Sequence, residues 1–337
     1  MTEPVLKNLT IPPNASQHEL YRWCDYIELR CLTHMDKRFS RDAFVESLSE
    51  NAEISSDEPE EDIEDSDTAA VIGSDDDTTA TNDKHEQHSD SCFKHLRWRE
   101  RVFGEYWPFT LDEHAKEIGI KPVLTEIHQF YISLLLSASL SYVPKGRWRG
   151  LTGLFEQAST EIMKHLMPRG SEIHPFGAAN TTRYTGHLFD RLTKLAEDVR
   201  GHLNLKKIHF APRDSGDSGL DIVAWHGLGD DRKGIPIAFA QCGCTASGWP
   251  DKMLQASPAR LGGHLKTLHE WAAYYFMPLD LSIDDAGSMD WQMLSDFSSA
   301  IVIDRLRFIR LTESYKIPPA AITATAYVNE AAALNLT

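Results

Sequence analysis

LDIVAWHGLGDDRKGIPIAFAQC (220–242) decides the architecture of this chain. Its two ends, LDIVAW and IPIAFAQC, are short apolar runs with β-branched and aromatic residues, and the stretch between them (227–234) is rich in Gly and Asp. That pattern predicts two strands joined by a turn. A third strand-like run, KIHFA (207–211), precedes them across a second Gly- and Asp-rich turn (213–219), so a meander is expected. Upstream, TGLFEQASTEIMKHLM (152–167) sets Leu154, Phe155, Ala158, Ile162 and Leu166 on one side of a helix. Another helix is expected over 184–203. Downstream the reading is a helix over 261–275, then a strand near 276–279 or 300–303. The order helix, three strands, helix, strand describes an α/β fold.

The N-terminal part reads differently. Ser16 and Glu19 have capping-box spacing ahead of Leu20, Trp23, Cys24, Ile27 and Cys31, which recur at helical intervals. A second short helix is expected from about Ser40, carrying Phe44, Val45 and Leu48. Residues 50–90 hold sixteen acidic side chains against Lys84 alone, with no aromatics and eight apolar residues. Such a segment cannot bury enough apolar surface to offset the entropy of ordering it, so it predicts a disordered acidic insertion. The bland reading is a solvated linker, and the sharper one a nucleic-acid mimic that occludes a basic cleft. Order is expected to resume at Cys92. FKHLRWRERVFGEYWPF (93–109) interleaves Lys94, Arg97, Arg99 and Arg101 with aromatics. An amphipathic helix with its aromatics in the core is the favoured reading, and a phosphate-contacting face the alternative. Residues 122–142 predict a mostly buried helix, and KGRWRG (145–150) a basic linker. The expected division is 1–49 N-terminal helices, 50–91 acidic insertion, 92–148 a helical region packing with the N-terminus, and 149–337 the α/β domain.

The formal net charge of −16 stands against a phosphate-binding protein until it is partitioned. Outside 50–90 the chain carries 34 acidic and 33 basic residues, so the acidity belongs to one segment. Five cysteines (Cys24, Cys31, Cys92, Cys242, Cys244) without disulfide-framework spacing predict a reducing cytoplasm. MTEPVLKNLTIPPN (1–14) lacks the apolar stretch of a signal peptide, and FYISLLLSASL (130–140) is far short of the ~20 residues that span a bilayer, so no membrane association is expected.

Chemistry concentrates around Asp221, an acid in an otherwise apolar strand. The next strand ends in Gln241-Cys242. Polar groups at the ends of adjacent apolar strands are costly to bury without partners, which suggests a shared site for a hard divalent cation with oxygen ligands. Asp221 offers a carboxylate, Gln241 and the Cys242 main-chain carbonyl offer further oxygens, and Glu156 on the preceding helix completes the set. The bland alternative has Asp221 bonding the turn at 215–219.

Phe155-Glu156, then Asp217-Ser218-Gly219-Leu220-Asp221, then Ala240-Gln241-Cys242 resembles the PD-(D/E)XK restriction-endonuclease-like superfamily, with the Mrr-like nucleases as the nearest branch. The resemblance covers 151–311 and implies an αβββαβ core. It implies Asp221 as the principal Mg²⁺ ligand (Mn²⁺ substituting), Gln241 in the slot more often held by Glu, and Glu156 as an accessory ligand. The family's lysine follows two residues after that Glu or Gln, and here that position is Gly243. Lys252, at the end of QCGCTASGWPDK (241–252), is the candidate replacement, with an ordinary surface lysine as the bland reading. The same stretch resembles bacterial nuclease-like proteins linked with phage defence. The implied activity is a Mg²⁺-dependent DNA endonuclease acting in that defence, with DNA and a second defence-system protein as partners. A catalytically silent nuclease-fold subunit that binds nucleic acid or scaffolds a complex is the alternative, and RNA cleavage a further one.

Other patterns are weaker. His85, His88, Cys92 and His95 have metal-like spacing, but fifteen histidines make chance clustering easy. Cys242-Gly243-Cys244 lacks the C-x-x-C spacing of redox motifs and reads as buried thiols. The glycines at 216, 219, 227, 229 and 234 form neither a P-loop nor a dinucleotide fingerprint. His264, His269 and Trp271 are expected on a helix that covers the sheet.

Overall fold

The structure, a computed structural model, describes residues 4–16, 18–54, 78–176, 182–210, 219–285, 287–297 and 299–336. It divides into two compact units, Asn8–Pro122 with Ala332–Thr337, and Met1–Lys7 with Val123–Ala331.

The smaller unit is built from α1 (Leu20–Thr33), β1 (Arg38–Ser40), α2 (Arg41–Ile54), α3 (Thr78–Phe103), β2 (Phe109–Leu111) and β3 (Glu117–Ile120). Its strands form an antiparallel sheet in the order β1-β3-β2. Two expectations change here. The chain is already helical at Thr78, fourteen residues before Cys92. His88, Ser89 and Cys92 are buried on α3, with the His88 ring 4.6 Å from that of Trp23. Polar side chains thus serve as inward-facing positions, which hydropathy alone does not register. Residues 55–77, with most of the acidic clusters, lie outside the described residues. The second change concerns Arg99, which is fully buried. It donates to Asp25 Oδ1 (2.8 Å), Glu28 Oε1 (3.0 Å) and the Tyr21 carbonyl (3.2 Å), and Trp107 Nε1 also donates to Glu28 (3.0 Å). With Arg97 paired to Glu100 and Arg101 set 4.7 Å over the Trp98 ring, 93–109 is no free phosphate-contacting stripe. Its aromatics Phe93, Trp98, Phe103, Trp107 and Phe109 are core.

The larger unit runs α4 (Glu126–Ala138), α5 (Lys145–Leu166), β4 (Glu172–Pro175), α6 (Leu188–Asp198), β5 (His202–Leu203), β6 (Ile222–Trp225), β7 (Ile237–Cys242), α7 (Trp249–Met253), α8 (Pro258–Leu261), β8 (Leu265–Lys266), β9 (Ala272–Phe276), β10 (Ser282–Asp285), β11 (Ser288–Trp291), β12 (Ile301–Ile303), α9 (Arg305–Ser314) and α10 (Thr325–Ala332). Five strands form a mixed sheet, β12-β9-β7-β6-β4. β4, β6 and β7 pair antiparallel, while β7, β9 and β12 run parallel. β5 pairs with β8, and β10 with β11 as a hairpin.

Three sequence expectations are corrected. The first sheet strand is β4, not 207–211, where Lys207–His209 is a single 3-10 turn. The region 261–275 is not a helix: α8 stops at Leu261 before Gly262-Gly263, and the apolar, aromatic AAYYF forms β9, as its strand propensity dictates. KGRWRG is not a linker but the start of α5, so the boundary expected at 149 falls inside a helix. Pro144 precedes its first turn, where a missing N–H costs nothing.

Helices cover both faces of the sheet. α6 buries Leu188, Leu192 and Leu195 in one cluster with Val223, Ile237, Phe239 and Trp271. On the other side Phe308 of α9 meets Phe130, Phe155 and Phe276, with ring centroids 6.3, 5.4 and 5.6 Å away. The parallel strands β7, β9 and β12 end at one edge, and Asp221, just before the antiparallel β6, stands at that edge too. Carboxyl ends of parallel strands are where open α/β sheets place ligands. No helix among the described residues is long and apolar enough to cross a membrane.

Candidate active site

Asp221 is nearly buried, at 8% exposure. Its N–H donates to the Ala240 carbonyl (2.9 Å) and its own carbonyl accepts from Phe176 N–H (2.7 Å). The carboxylate Oδ2 accepts the Cys242 N–H at 2.6 Å, which aims it at the end of β7. Residues 211–218 lie outside the described residues, and with them Asp217, Ser218 and the alternative expectation that Asp221 bonds a turn at 215–219. Gly219 is described, with φ +75°. A Cβ there would lie 2.4 Å from Gln255 Cβ, so glycine permits the segment after α7 to press against the approach to β6. Gln255 N–H in turn donates to the Lys252 carbonyl (3.0 Å), which ties the lysine's turn to the aspartate's strand.

Gln241 and Tyr275 are register neighbours on β7 and β9. Gln241 Oε1, Tyr275 OH and Thr245 Oγ1 are each buried without a hydrogen-bond partner among the described residues. Buried oxygens in that condition cost roughly 1–3 kcal/mol apiece and require an explanation, such as a ligand or ion. Gly243 separates them: a Cβ at 243 would lie 2.0 Å from Tyr275 OH and 2.8 Å from its Cζ. The phenol occupies the space that a lysine stem would need, which is the physical reason for glycine at this position.

Cys244 reports on the charges around it. Burial pushes its thiol pKa up, Glu156 and Asp221 push it further, and Lys252 opposes them. The Cys242 thiol is raised in the same way, first by burial and then by Asp221, with Glu156 contributing. Asp221, Glu156 and Lys252 therefore share one electrostatic neighbourhood at the end of β7. Glu156 is half-buried on α5, one turn from Ser159, which bonds the Cys242 thiol. Lys252 is half-buried on α7, and its ammonium has no hydrogen bond or ion pair among the described residues. Burial and the neighbouring carboxylates thus disfavour the thiolate form at both cysteines. All five cysteines are free.

No group of three or more His, Cys, Asp or Glu side chains is arranged for a metal ion among the described residues. That applies to His85, His88, Cys92 and His95, where the Cys92 thiol meets His88 Nε2 at 3.8 Å within the core. The oxygens available near the end of β7 are the Asp221 and Glu156 carboxylates, the unpartnered Gln241 Oε1 and the Cys242 carbonyl, which accepts from Gln241 Nε2 (3.5 Å). Such a set fits a hard cation and not zinc. Sequence reasoning missed Tyr275, Thr245 and Ser159. The signal for Tyr275 is the aromatic run AAYYF, whose strand propensity outweighs its helical spacing. Comparison of the chain with protein-family models, curated proteins and solved structures finds no match.

Proposed function

We propose that the larger unit is a divalent-metal-dependent phosphodiesterase that cleaves DNA, built on an αβββαβ core of the PD-(D/E)XK kind. What supports this reading is the Asp221 carboxylate held at the end of β7 by the Cys242 N–H, the unpartnered oxygens of Gln241, Tyr275 and Thr245 in the same stretch of the sheet, and the charges of Glu156 and Lys252 that act with Asp221 on the Cys244 thiol. Its support in the fold is the order of the sheet strands after α5, namely β4, β6, β7 and β9, with α6 and β5 inserted between β4 and β6 and with α7, α8 and β8 between β7 and β9. The first three strands are antiparallel and the fourth is parallel to the third. A setting in phage defence, with a second defence protein as partner, rests on the stretch 241–252 alone. The free cysteines suit a reducing cytoplasm.

Asp221, Glu156, Gln241 Oε1 and the Cys242 carbonyl would hold Mg²⁺ or Mn²⁺. When bound, the ion supplies charge neutralisation at the phosphate and acidifies a water. The chain's own contribution is positional. The Cys242 N–H fixes the Asp221 carboxylate, and Tyr275 OH offers a proton for an oxygen held at Gln241. Lys252, on a flexible stem, brings the positive charge that Gly243 cannot carry.

A second reading, a silent nuclease-fold subunit, is favoured by the Gly243–Tyr275 contact. One experiment separates the two. Wild type, Asp221→Asn and Lys252→Ala are incubated with plasmid, linear and single-stranded DNA and with RNA, in Mg²⁺, Mn²⁺ or EDTA. Metal-dependent DNA cleavage is expected, reduced about 100-fold or more in both variants. Wild-type activity equal to that of Asp221→Asn under every metal would leave only the silent subunit, and normal activity in Lys252→Ala would remove that lysine from the mechanism. RNA cleavage in place of DNA cleavage would reassign the substrate.

A further inference from the structure

The sheet edge that carries Asp221 continues past β9 to the end of β12. There Asp304 caps α9, accepting the Arg307 N–H at 3.0 Å, and Arg307 and Arg310 follow one turn apart. The β10–β11 hairpin, which leaves the same edge after β9, faces them with Trp291 and Met289. Together with Ser282, Asp290 and Leu306 these residues line a cavity of about 250 Å³. Its furnishings are specific. The Arg307 guanidinium lies 4.5 Å over the Trp291 ring while Nη1 donates to the Val302 carbonyl (2.6 Å), so arginine and indole are held in place together. Arg310 is exposed on the rim and has no carboxylate partner among the described residues. The Asp304 carboxyl is almost wholly enclosed.

The exposed Arg310, which has no carboxylate partner among the described residues, and the ring-held Arg307, whose charge meets Asp304, stand beside an aromatic ring and match the parts of one nucleotide, with the Asp290 carboxylate also on the lining. The guanidinium groups take the phosphate and the ring takes a base face. The cavity is smaller than a drug-sized site and has no room for a base pair. We propose that it is a subsite for one unpaired nucleotide, base against Trp291 and phosphate on Arg307 and Arg310, and that the protein consequently acts on single-stranded or frayed DNA. The proposal rests on the Asp221 edge being a nucleic-acid-cleaving site.

Binding and cleavage are measured apart. Fluorescence anisotropy in EDTA follows a labelled 12-nucleotide single strand, its base-free abasic counterpart and a 12-base-pair duplex, with wild type, Arg310→Ala, Trp291→Ala and Trp291→Phe. Circular dichroism melting checks that each is folded. Wild type is expected to prefer the single strand. Arg310→Ala should weaken the normal and abasic strands alike, about fivefold at low salt, with a shallower salt dependence. Trp291→Ala should weaken the normal strand about tenfold, spare the abasic one, and be rescued by Trp291→Phe. Unchanged affinity in both alanine variants overturns the subsite, as does a Trp291→Ala loss of equal size on the abasic strand or no binding by wild type. If wild type cleaves while the variants bind normally, the subsite falls and the nuclease reading stands. If single-strand binding depends on Arg310 and Trp291 but no metal supports cleavage, the nuclease reading falls and the subsite stands.

Discussion

Gly243 and Tyr275 cannot both carry bulk. With the phenolic oxygen 2.0 Å from a Cβ at 243, Gly243→Ala should destabilise by about 1–3 kcal/mol, as overpacking does, and Gly243→Lys should unfold the site instead of supplying a catalytic lysine. Tyr275→Phe removes a buried hydroxyl without a partner and should be neutral or stabilising by about 1 kcal/mol in EDTA. Urea melts of the three variants check this, and a large loss in Tyr275→Phe would mean that the hydroxyl is satisfied by a bound group. Asp304 gives a pH prediction. Burial raises its carboxyl to about 7 from 3.8, Asp280 adds to the rise, and the Arg307 N–H and charge oppose it. Between those values the folded state holds a proton that the unfolded chain has released. This group's stabilisation is therefore full below about pH 4 and lost as pH rises through 7. Asp304→Asn keeps the cap and removes the titration. Relative to wild type it should gain on the order of 2–4 kcal/mol between pH 4 and pH 8; parallel stability curves would refute this. Asp221 was legible in the sequence because an acid in an apolar strand breaks the pattern. Tyr275 was not, because an aromatic in a strand satisfies it.

At the scale of elements, legibility followed how much of an element's identity is local. β6 and β7 are apolar runs bounded by Gly-rich turns, and both are where the sequence puts them. β4 is four residues, EIHP, whose strand state comes from pairing with β6 and not from propensity. α3 starts earlier than its hydropathy indicates because its first turns are polar and its inward side includes His88 and Ser89. Arg99 shows the energetic consequence. It holds two buried carboxylates of α1, and Glu28 also receives Trp107, so removing the guanidinium strands both acids away from water. Arg99→Ala should destabilise by about 3–5 kcal/mol. If Arg99 were instead a phosphate contact, the variant would melt normally and bind DNA with a shallower salt dependence. Denaturation and anisotropy on the same sample distinguish the two.

For the whole molecule, the net charge of −16 opposes any polyanion, yet eleven of the acidic residues lie in 55–77, where there is no basic residue. Replacing those eleven with Ser and Asn brings the formal charge to −5 and leaves Asp221, Glu156, Arg307 and Arg310 in place. If the tract acts only through the field of its charge, DNA affinity should rise several-fold at ~0.01 M salt, where screening extends about 30 Å. The gain should largely vanish above ~0.1 M, where it extends about 10 Å. A shuffle of 55–77 that keeps every charge must then bind DNA as the wild type does. A tract that mimics nucleic acid in a cleft depends on where its carboxylates stand, so the shuffle would raise affinity almost as much as neutralisation does. Equal affinity of all three proteins at low salt would reduce the tract to a connector and leave DNA binding to the local charges of the larger unit.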